Sequence, residues 1–165
     1  MASSRPPPAS SSVSTSAAAR GSYSVFVYGP LMVDEVVSIF LGRVPPSSPA
    51  VLQNHQRFCT EGRIYPAVVP VAGKIVTGKV FRGITTKELS VLDRLKVGHG
   101  EFERKAVEIS IPGMLERSLA YTYIWFKKND PELFGVWDFE VWKLLYLEHY
   151  QVLAQEFMLQ LPFLL

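Results

Sequence analysis

The chain has 165 residues, of which 48% are hydrophobic and 19% charged, so a single domain with its own apolar core is expected. Its net charge is +2, and Arg5 and Arg20 account for the excess, because the later charges balance; an extended basic surface for nucleic acid is thereby excluded. The single cysteine, Cys59, excludes an intrachain disulfide and a cysteine-based zinc site, and no apolar run reaches the roughly 20 residues of a membrane span.

Residues 1–22 differ in composition from the rest of the chain. Ser, Ala and Pro dominate them and no hydrophobic periodicity is visible, so a disordered tail is predicted. The absence of acidic residues and the presence of two arginines also resemble a plastid or mitochondrial transit peptide. Transit peptides are usually longer and richer in arginine. The composition therefore favours a plain tail on a cytoplasmic protein, with plastid targeting as the alternative.

Residues 23–84 alternate between apolar runs and turn signals. The pattern predicts a buried strand at 24–28, a helix at 35–41 capped by Asp34, a proline-rich loop at 44–49, and strands at 50–58, 67–71 and 74–84. Gly78, inside the last of these strands, indicates a bulge or a close approach of another backbone.

The second half continues the mixture of helices and strands. Thr85-Thr86-Lys87-Glu88 has the capping-box pattern and starts a short helix. The pattern then predicts strands around 107–111 and 119–125, a short helical turn at Asp130-Pro131, and a helix at 138–159. The apolar face predicted for that last helix comprises Phe139, Trp142, Tyr146, Leu153 and Phe157. The order of elements predicts an α+β domain whose mainly β core carries helices.

Familiar catalytic and metal-binding motifs are missing from the sequence. The histidines His55, His99 and His149 are far apart and none has a partner at ligand spacing, so neither a metal site nor a cofactor is expected. The sequence contains no P-loop, no G-x-G-x-x-G and no G-x-S-x-G pattern. Cys59 is interpreted as a small packed residue, because no motif frames it as a nucleophile.

The segment Val27-Tyr28-Gly29-Pro30-Leu31-Met32 is the remaining candidate. A strand that breaks at a glycine and enters a helix leaves backbone N–H groups pointing outward, where they can hold a carboxylate or a developing oxyanion. Taken alone, the same residues favour an ordinary strand-to-helix turn over a ligand-binding loop.

Tyr28-Gly29-Pro30-Leu31 resembles the Tyr-Gly-(Ser/Thr)-Leu signature of the γ-glutamylcyclotransferase-like superfamily. The resemblance to its plant branch, the AIG2-like proteins, extends from about Val25 to Phe157. Further matching segments are Gly62-Arg63-Ile64-Tyr65-Pro66, Gly78-Lys79-Val80, Leu92-Asp93, Phe102-Glu103-Arg104, Tyr123-Ile124-Trp125 and Trp137-Asp138-Phe139-Glu140-Val141-Trp142. The resemblance implies the γ-glutamylcyclotransferase-like fold, a small mixed β-barrel with flanking helices and a cavity at its mouth.

The resemblance also implies a reaction, in which the α-amine of a small-molecule γ-glutamyl substrate attacks its own γ-amide and releases 5-oxoproline. In the family, the Tyr-Gly loop grips the substrate and a glutamate is the base. Carried over, the substrate-binding residues are Tyr28, Gly29, Pro30, Leu31, Met32 and Val33.

Two positions depart from the family pattern. Pro30 replaces Ser or Thr and lacks both an N–H and a hydroxyl. The family base lies in a Leu-Asp-x-x-Glu stretch, and here that position is Lys96, whose ammonium is ordinarily protonated at neutral pH. Glu101, close by in a glycine-containing segment, is the candidate substitute base, and a desolvated Lys96 is the other.

Three hypotheses follow from these residues. The chain is a γ-glutamylcyclotransferase with Glu101 or Lys96 as base, or a catalytically weak or dead member that binds a small carboxylate or γ-glutamyl ligand, or an interaction module in plant defence signalling. The last is suggested by the apolar ending, Phe157 to Leu165, of which residues 161–165 are predicted to extend beyond a domain at 23–160. That ending would take a protein partner or a second copy of the chain.

Overall fold

A computed structural model describes residues 21–164, with side chains described as far as Pro162. Apart from Gly21 and Ser22, the tail predicted at residues 1–22 lies outside the described residues. In chain order the elements are β1 (Tyr23–Val27), a 3-10 turn (Pro30–Met32), α1 (Asp34–Leu41), β2 (Ser47–Thr60), β3 (Ala67–Ile84), α2 (Thr86–Lys96), β4 (Phe102–Ser110), β5 (Ser118–Trp125), β6 (Leu133–Phe134) and α3 (Phe139–Leu164).

The strands β1 to β5 close into a barrel. Their order is β3-β1-β5-β4-β2, and β2 pairs again with β3 to complete the ring. The β1–β5 pair is parallel, with Val25 opposite Tyr121, and the other ladders are antiparallel. β6 extends the outer end of β2, with Cys59 opposite Phe134. The predicted mixed β-barrel with flanking helices is confirmed.

Two apolar clusters fill the fold, one inside the barrel and one beneath the helices. Alternation along β1 and on to Tyr28, the residue after it, divides the side chains between the two clusters. Phe26 and Tyr28 join the barrel interior, while Val25 and Val27 face the helical side. All four residues are at most 5% exposed. β1 and the loop that follows it are therefore held on both faces, which fixes the position of Tyr28.

The two longest strands differ from the prediction. β3 is one strand over Ala67–Ile84, where two strands were predicted, and β2 begins at Ser47, inside the segment predicted as a proline-rich loop. β3 is continuous because of a bulge: Asn54 and Gly73 both adopt positive φ, and the Gly73 N–H donates to Asn54 Oδ1 at 3.0 Å. β2 begins at Ser47 because Ser47 to Pro49 pair with Lys79 to Phe81 of β3. Residues 71–74 of β3 are left without a partner opposite Asn54, and the pairing continues on either side, at Gln53 with Ile75 and at His55 with Pro70.

Three short signals at the ends of elements have different outcomes. The capping box at Thr85 and Glu88 is confirmed, since each side chain accepts from the other residue's backbone N–H. The prediction of Asp34 as a helix cap is wrong, because Val33 occupies the N-cap position and Asp34 is the first helical residue. The segment at Asp130 is a turn leading into β6 in place of the predicted helical turn, with Asp130 accepting from the Trp125 indole at 2.9 Å.

The long helix α3 is buried in part on the predicted face, since Trp142 is buried and Phe139 and Phe157 pack against the core. Its buried residues are Trp142, Tyr150, Ala154 and Leu161, which recur at helical spacing, whereas Tyr146 and Leu153 are 42% and 41% exposed. The helix also continues to Leu164, so the segment predicted as an apolar ending starts within it. Within residues 21–164, no helix combines the length and apolar character needed to cross a membrane.

Candidate functional site

The loop after β1 is shaped by Gly29 and Pro30. A Cβ on Gly29 would lie 2.9 Å from Pro66 Cγ, so only glycine fits there without a shift of that ring. Pro30 opens the 3-10 turn, where its fixed φ is compatible with the turn and its missing N–H is not needed. The turn is closed by Met32 N–H to Gly29 O at 2.9 Å and Val33 N–H to Pro30 O at 3.0 Å. These two bonds do not use the N–H of Gly29, which stays a candidate ligand donor.

Tyr28 is fixed at both its hydroxyl and its carbonyl. The hydroxyl donates to Tyr123 O at 2.6 Å, and the carbonyl accepts from Arg57 Nη1 at 2.7 Å. Burial raises the pKa of Tyr28 above its usual range, with the Arg57 guanidinium acting weakly in the opposite direction. The phenol is therefore neutral and occupied, and its contribution is to hold the loop.

Lys96, the last residue of α2, extends towards this loop. Its ammonium lies 5.1 Å from the ring centre of Phe102 and 5.6 Å from that of Tyr65. Burial lowers the pKa of Lys96 from 10.5 to about 8, and the Glu101 carboxylate partly opposes this shift. The ion pairs formed within residues 21–162 do not include Lys96. Lys96 is only partly buried as a residue, so its ammonium is a partly desolvated cation that aromatic rings stabilise.

The carboxylate of Glu101 is held in place by Arg63 and Tyr65. Arg63 Nε donates to Glu101 Oε2 at 2.7 Å, and the Tyr65 hydroxyl donates to Glu101 Oε1 at 2.6 Å. Arg63 also binds Glu132 at 2.7 Å. Both carboxylate oxygens of Glu101 are thus engaged, and their charge is compensated by Arg63.

Two cavities meet at Lys96. The loop cavity has a volume of about 10 Å³ and is lined by Tyr28 to Leu31, Tyr123 and Lys96, among others. The second, the apolar cavity, has a volume of about 140 Å³ and lies between α1, α2, β4 and α3. Lys96 lines both, so its side chain forms part of the wall between them. The loop cavity is large enough for about one water molecule.

The predicted site residues are therefore brought together only in part. Tyr28, Gly29, Pro30 and Leu31 share the loop cavity with Lys96. Met32 and Val33 do not line it, because Val33 belongs to the helical-side core and Met32 packs against that core. Glu101 lines the apolar cavity instead, away from the Tyr-Gly loop.

A second polar network, formed by Asp93, Arg104 and Tyr123, lies next to the end of α2 that carries Lys96. The sequence motifs alone assigned these residues no role. Tyr123 donates its hydroxyl to Asp93 Oδ1 at 2.7 Å, and Arg104 Nε lies 3.2 Å from the same oxygen. Burial and the bond to Asp93 raise the pKa of Tyr123 above its usual range. The network ties the end of α2 to β4 and β5, and so fixes the backbone that carries Lys96. Its members lie in segments quoted for the family resemblance, which is the signal that points to them.

The arrangement offers backbone donors and an amine close together. At pH 7 a group with a pKa of about 8 is neutral in about a tenth of molecules, so the Lys96 amine can accept a proton. No cluster of three or more His, Cys, Asp or Glu side chains that could hold a metal ion occurs in the described part of the chain.

Comparisons with known proteins agree with this architecture. The family model "Gamma-glutamyl cyclotransferase, AIG2-like" matches residues 25–143. AIG2-like protein D of Arabidopsis thaliana is 44% identical over 136 residues, covering 82% of this chain and 88% of that protein. AIG2-like protein C of the same plant is 43% identical over 124 residues, covering 75% and 71%.

Solved structures give the same result. A solution structure of an Arabidopsis thaliana protein is 37% identical, with a TM-score of 0.65, and covers 83% of this chain and 91% of that one. A solved γ-glutamyl cyclotransferase shares 15% identity with a TM-score of 0.59, covering 82% of this chain and 87% of that one, and this likeness concerns the fold alone.

Proposed function

Since the chain belongs to the AIG2-like γ-glutamyl cyclotransferase family, we propose that it cyclises a γ-glutamyl amine or peptide to 5-oxoproline, with the neutral Lys96 amine as the base. The observation that carries the proposal is the desolvated Lys96 ammonium beside the Tyr28–Leu31 loop. Lys96 Nζ takes a proton from the substrate α-ammonium. The freed amine attacks the γ-carbonyl and the new C–N bond forms. The ring nitrogen then gives up its second proton to the leaving nitrogen as the original amide C–N bond breaks. The leaving amine takes the first proton back from Lys96 and departs as an ammonium ion.

Glu101 is the weaker candidate for the base. Its two oxygens already accept from Arg63 and Tyr65, and it does not line the loop cavity. Bringing it to the loop would break both bonds and leave Arg63 with only Glu132 as a carboxylate partner. Losing two hydrogen bonds in which one or both groups are charged costs several kcal/mol, about 1.5–3 kcal/mol each. Lys96 needs no such rearrangement.

The substrate needs more room than the loop cavity provides. A cavity of about 10 Å³ holds one water molecule and not a glutamyl group. The lysine stem is flexible, and a displacement of Lys96 would join the loop cavity to the apolar cavity of about 140 Å³. We therefore expect binding to require a movement of Lys96 that leaves its amine beside the substrate's amino group.

The test is 5-oxoproline release from γ-glutamyl amines and dipeptides between pH 6 and pH 10. Wild type is expected to gain about tenfold per pH unit below pH 8 and then to level off. Lys96→Met should lose a hundred- to ten-thousandfold, and Lys87→Met, at an exposed position of the same helix, should lose nothing. Glu101→Gln should stay active with its profile moved to lower pH, because the carboxylate that raises the Lys96 pKa is gone.

Lys96→Glu supplies a further comparison. A carboxylate at that position restores the family's residue type, and its activity should level off at lower pH than that of wild type. Wild-type activity that survives Lys96→Met but disappears in Glu101→Gln would transfer the proposed role to Glu101. An inactive wild type at every pH would contradict both assignments.

Binding without turnover is the second candidate function. The small loop cavity and the ammonium that predominates at neutral pH favour it, since a cation there repels the substrate ammonium but attracts a carboxylate. A rise in Tm with 5-oxoproline, together with no 5-oxoproline release from any γ-glutamyl compound, would select this candidate.

A partner-binding role for α3 is the third candidate. Leu144, Leu145 and Leu159 are 85%, 63% and 76% exposed, which is unusual for a helix of a domain that acts alone. Light scattering of wild type and Leu144→Glu would detect association of two copies. For the compartment we propose the cytoplasm, and a fluorescent fusion confined to plastids would select the targeting interpretation of residues 1–22.

A further inference from the structure

The apolar cavity beside Lys96 is distinct from the Tyr-Gly loop. It has a volume of about 140 Å³, and six of its lining residues are Phe40, Leu95, Phe102, Tyr150, Ala154 and Phe157, which come from α1, α2, β4 and α3. Phe40 and Phe157 meet edge to face, with ring centres 5.9 Å apart, so part of this wall is packed aromatic surface. Such a wall favours an apolar body of matching size.

The ammonium of Lys96, at one side of this cavity, lacks a carboxylate partner in the described part of the chain. Lys96 forms none of the ion pairs found within residues 21–162, and the rings of Tyr65 and Phe102 contact its ammonium instead. Glu101 is the nearest acidic lining residue, and both its oxygens accept from Arg63 and Tyr65. A desolvated cation is unfavourable unless it is paired. A ligand that brings its own carboxylate would supply that pair.

Among the described residues that line the cavity, no other titratable group offers a positive charge inside it for a bound carboxylate. Burial raises the pKa values of Tyr65 and Tyr150, so both phenols are neutral. Glu101 carries a negative charge that Arg63 compensates. His99 lines the cavity but is exposed, at its rim. Lys96 is therefore the cation that a bound anion would meet inside the cavity.

The volume of the cavity limits the size of the ligand that it can hold. An engineered cavity of about 150 Å³ lined by aliphatic and aromatic side chains takes up benzene, so one ring is the appropriate scale here. We propose that the apolar cavity is a binding site for small monocarboxylates with a single ring or a short branched apolar body, whose carboxylate pairs with Lys96 Nζ. The site needs neither an α-amine nor a γ-amide in its ligand, so it does not depend on the cyclisation proposed above.

The test compares benzoate with benzyl alcohol on the full chain at pH 7, by titration calorimetry and by chemical-shift mapping of the labelled protein. Benzoate should bind with a Kd below about 1 mM, and benzyl alcohol, its neutral counterpart, at least about tenfold more weakly. A Kd for benzoate above about 1 mM, or equal binding of the two compounds, overturns the proposal. This comparison uses only wild type, so it does not depend on a variant folding.

Variants then locate the site. Lys96→Met should weaken benzoate about ten- to a hundredfold and leave benzyl alcohol unchanged, whereas Lys87→Met should change neither. Ala154→Met fills the cavity and should abolish binding of both, while Gln155→Met at the exposed neighbouring position should not. Benzoate affinity that persists in both Lys96→Met and Ala154→Met overturns the site. Because benzoate cannot be cyclised, a chain that binds it without releasing 5-oxoproline refutes only the proposed enzymatic activity.

Discussion

Replacing Lys96 by Met should stabilise the protein at neutral pH, although it removes a contact-rich side chain. The unfolded chain has an ordinary lysine with a pKa of 10.5, whereas burial lowers the folded value to about 8. Between these values the unfolded state binds more protons, so wild-type stability rises with pH across this window. Below about pH 8 the full cost of the buried cation is present. Above about pH 10.5 the amine is neutral in both states and the cost is gone.

The size of the effect follows from the lowered pKa of Lys96 and from how far its side chain is buried. A pKa lowered from 10.5 to about 8 corresponds to about 3 kcal/mol of destabilisation at pH 7. Lys96 is only partly buried as a residue, so solvent screening reduces this figure. Methionine keeps most of the apolar stem of lysine and opens little new cavity. The expected gain is therefore about 1–3 kcal/mol at pH 7.

Urea unfolding of wild type, Lys96→Met and Lys87→Met between pH 6 and pH 10.5 measures this gain. The difference between Lys96→Met and wild type should be constant below pH 8 and shrink towards zero at pH 10.5, while Lys87→Met stays close to wild type throughout. The buried tyrosines are the same in all three proteins, so their titration cancels in the differences. A Lys96→Met protein that is less stable than wild type at pH 7, or a gain that does not change with pH, would refute the reasoning.

Three further substitutions probe the loop and its support. Tyr28→Phe removes the donor to the buried Tyr123 carbonyl and should cost about 1–3 kcal/mol in urea unfolding; an unchanged midpoint would show that the bond contributes nothing net. Gly78→Ala should destabilise by at least about 1–3 kcal/mol, because the added Cβ would lie 2.2 Å from Val27 O; wild-type stability would contradict the close approach of β3 to β1. Pro30→Ser adds an N–H and a hydroxyl at the loop and should tighten 5-oxoproline binding about two- to twelvefold by calorimetry; weaker binding would show that the loop does not hold the ligand.

Local sequence patterns predicted the positions of most elements, since these patterns act over a few residues. The capping box at Thr85 and Glu88 needs only its own four residues, and the alternation along β1 needs five. The continuity of β3 through Gly73 was not predictable in this way. It depends on Asn54, nineteen residues away, whose side chain accepts the Gly73 N–H at the bulge, so that the two strands pair again beyond it. A glycine within an alternating run is typical of both a turn and a bulge, and only the partner strand decides between them.

The same limit applies to the site. The motif around Tyr28 and the substituted position Lys96 were both identified from the sequence, and they do share a cavity. The orientation of Glu101 could not be identified, because it is set by Arg63 and Tyr65, which are 38 and 36 residues away. The buried face of α3 was predicted only in part, for a related reason. Tyr146 and Leu153 have the right chemistry for a core, but the helix packs through Trp142 together with Tyr150 and Ala154, which lie on the adjoining stripe.

Lys96 combines charge and bulk, and different substitutions separate the two. Lys96→Met removes the charge and keeps a side chain between the loop cavity and the apolar cavity, whereas Lys96→Ala removes both and joins spaces of about 10 and 140 Å³. If the proposed base role is correct, cyclisation is lost in both variants. If Lys96 acts mainly as a wall, Lys96→Ala should admit larger γ-glutamyl compounds while Lys96→Met behaves as wild type. Benzoate affinity should fall in both, because each lacks the cation, so the binding and catalytic roles of this one residue can be measured independently.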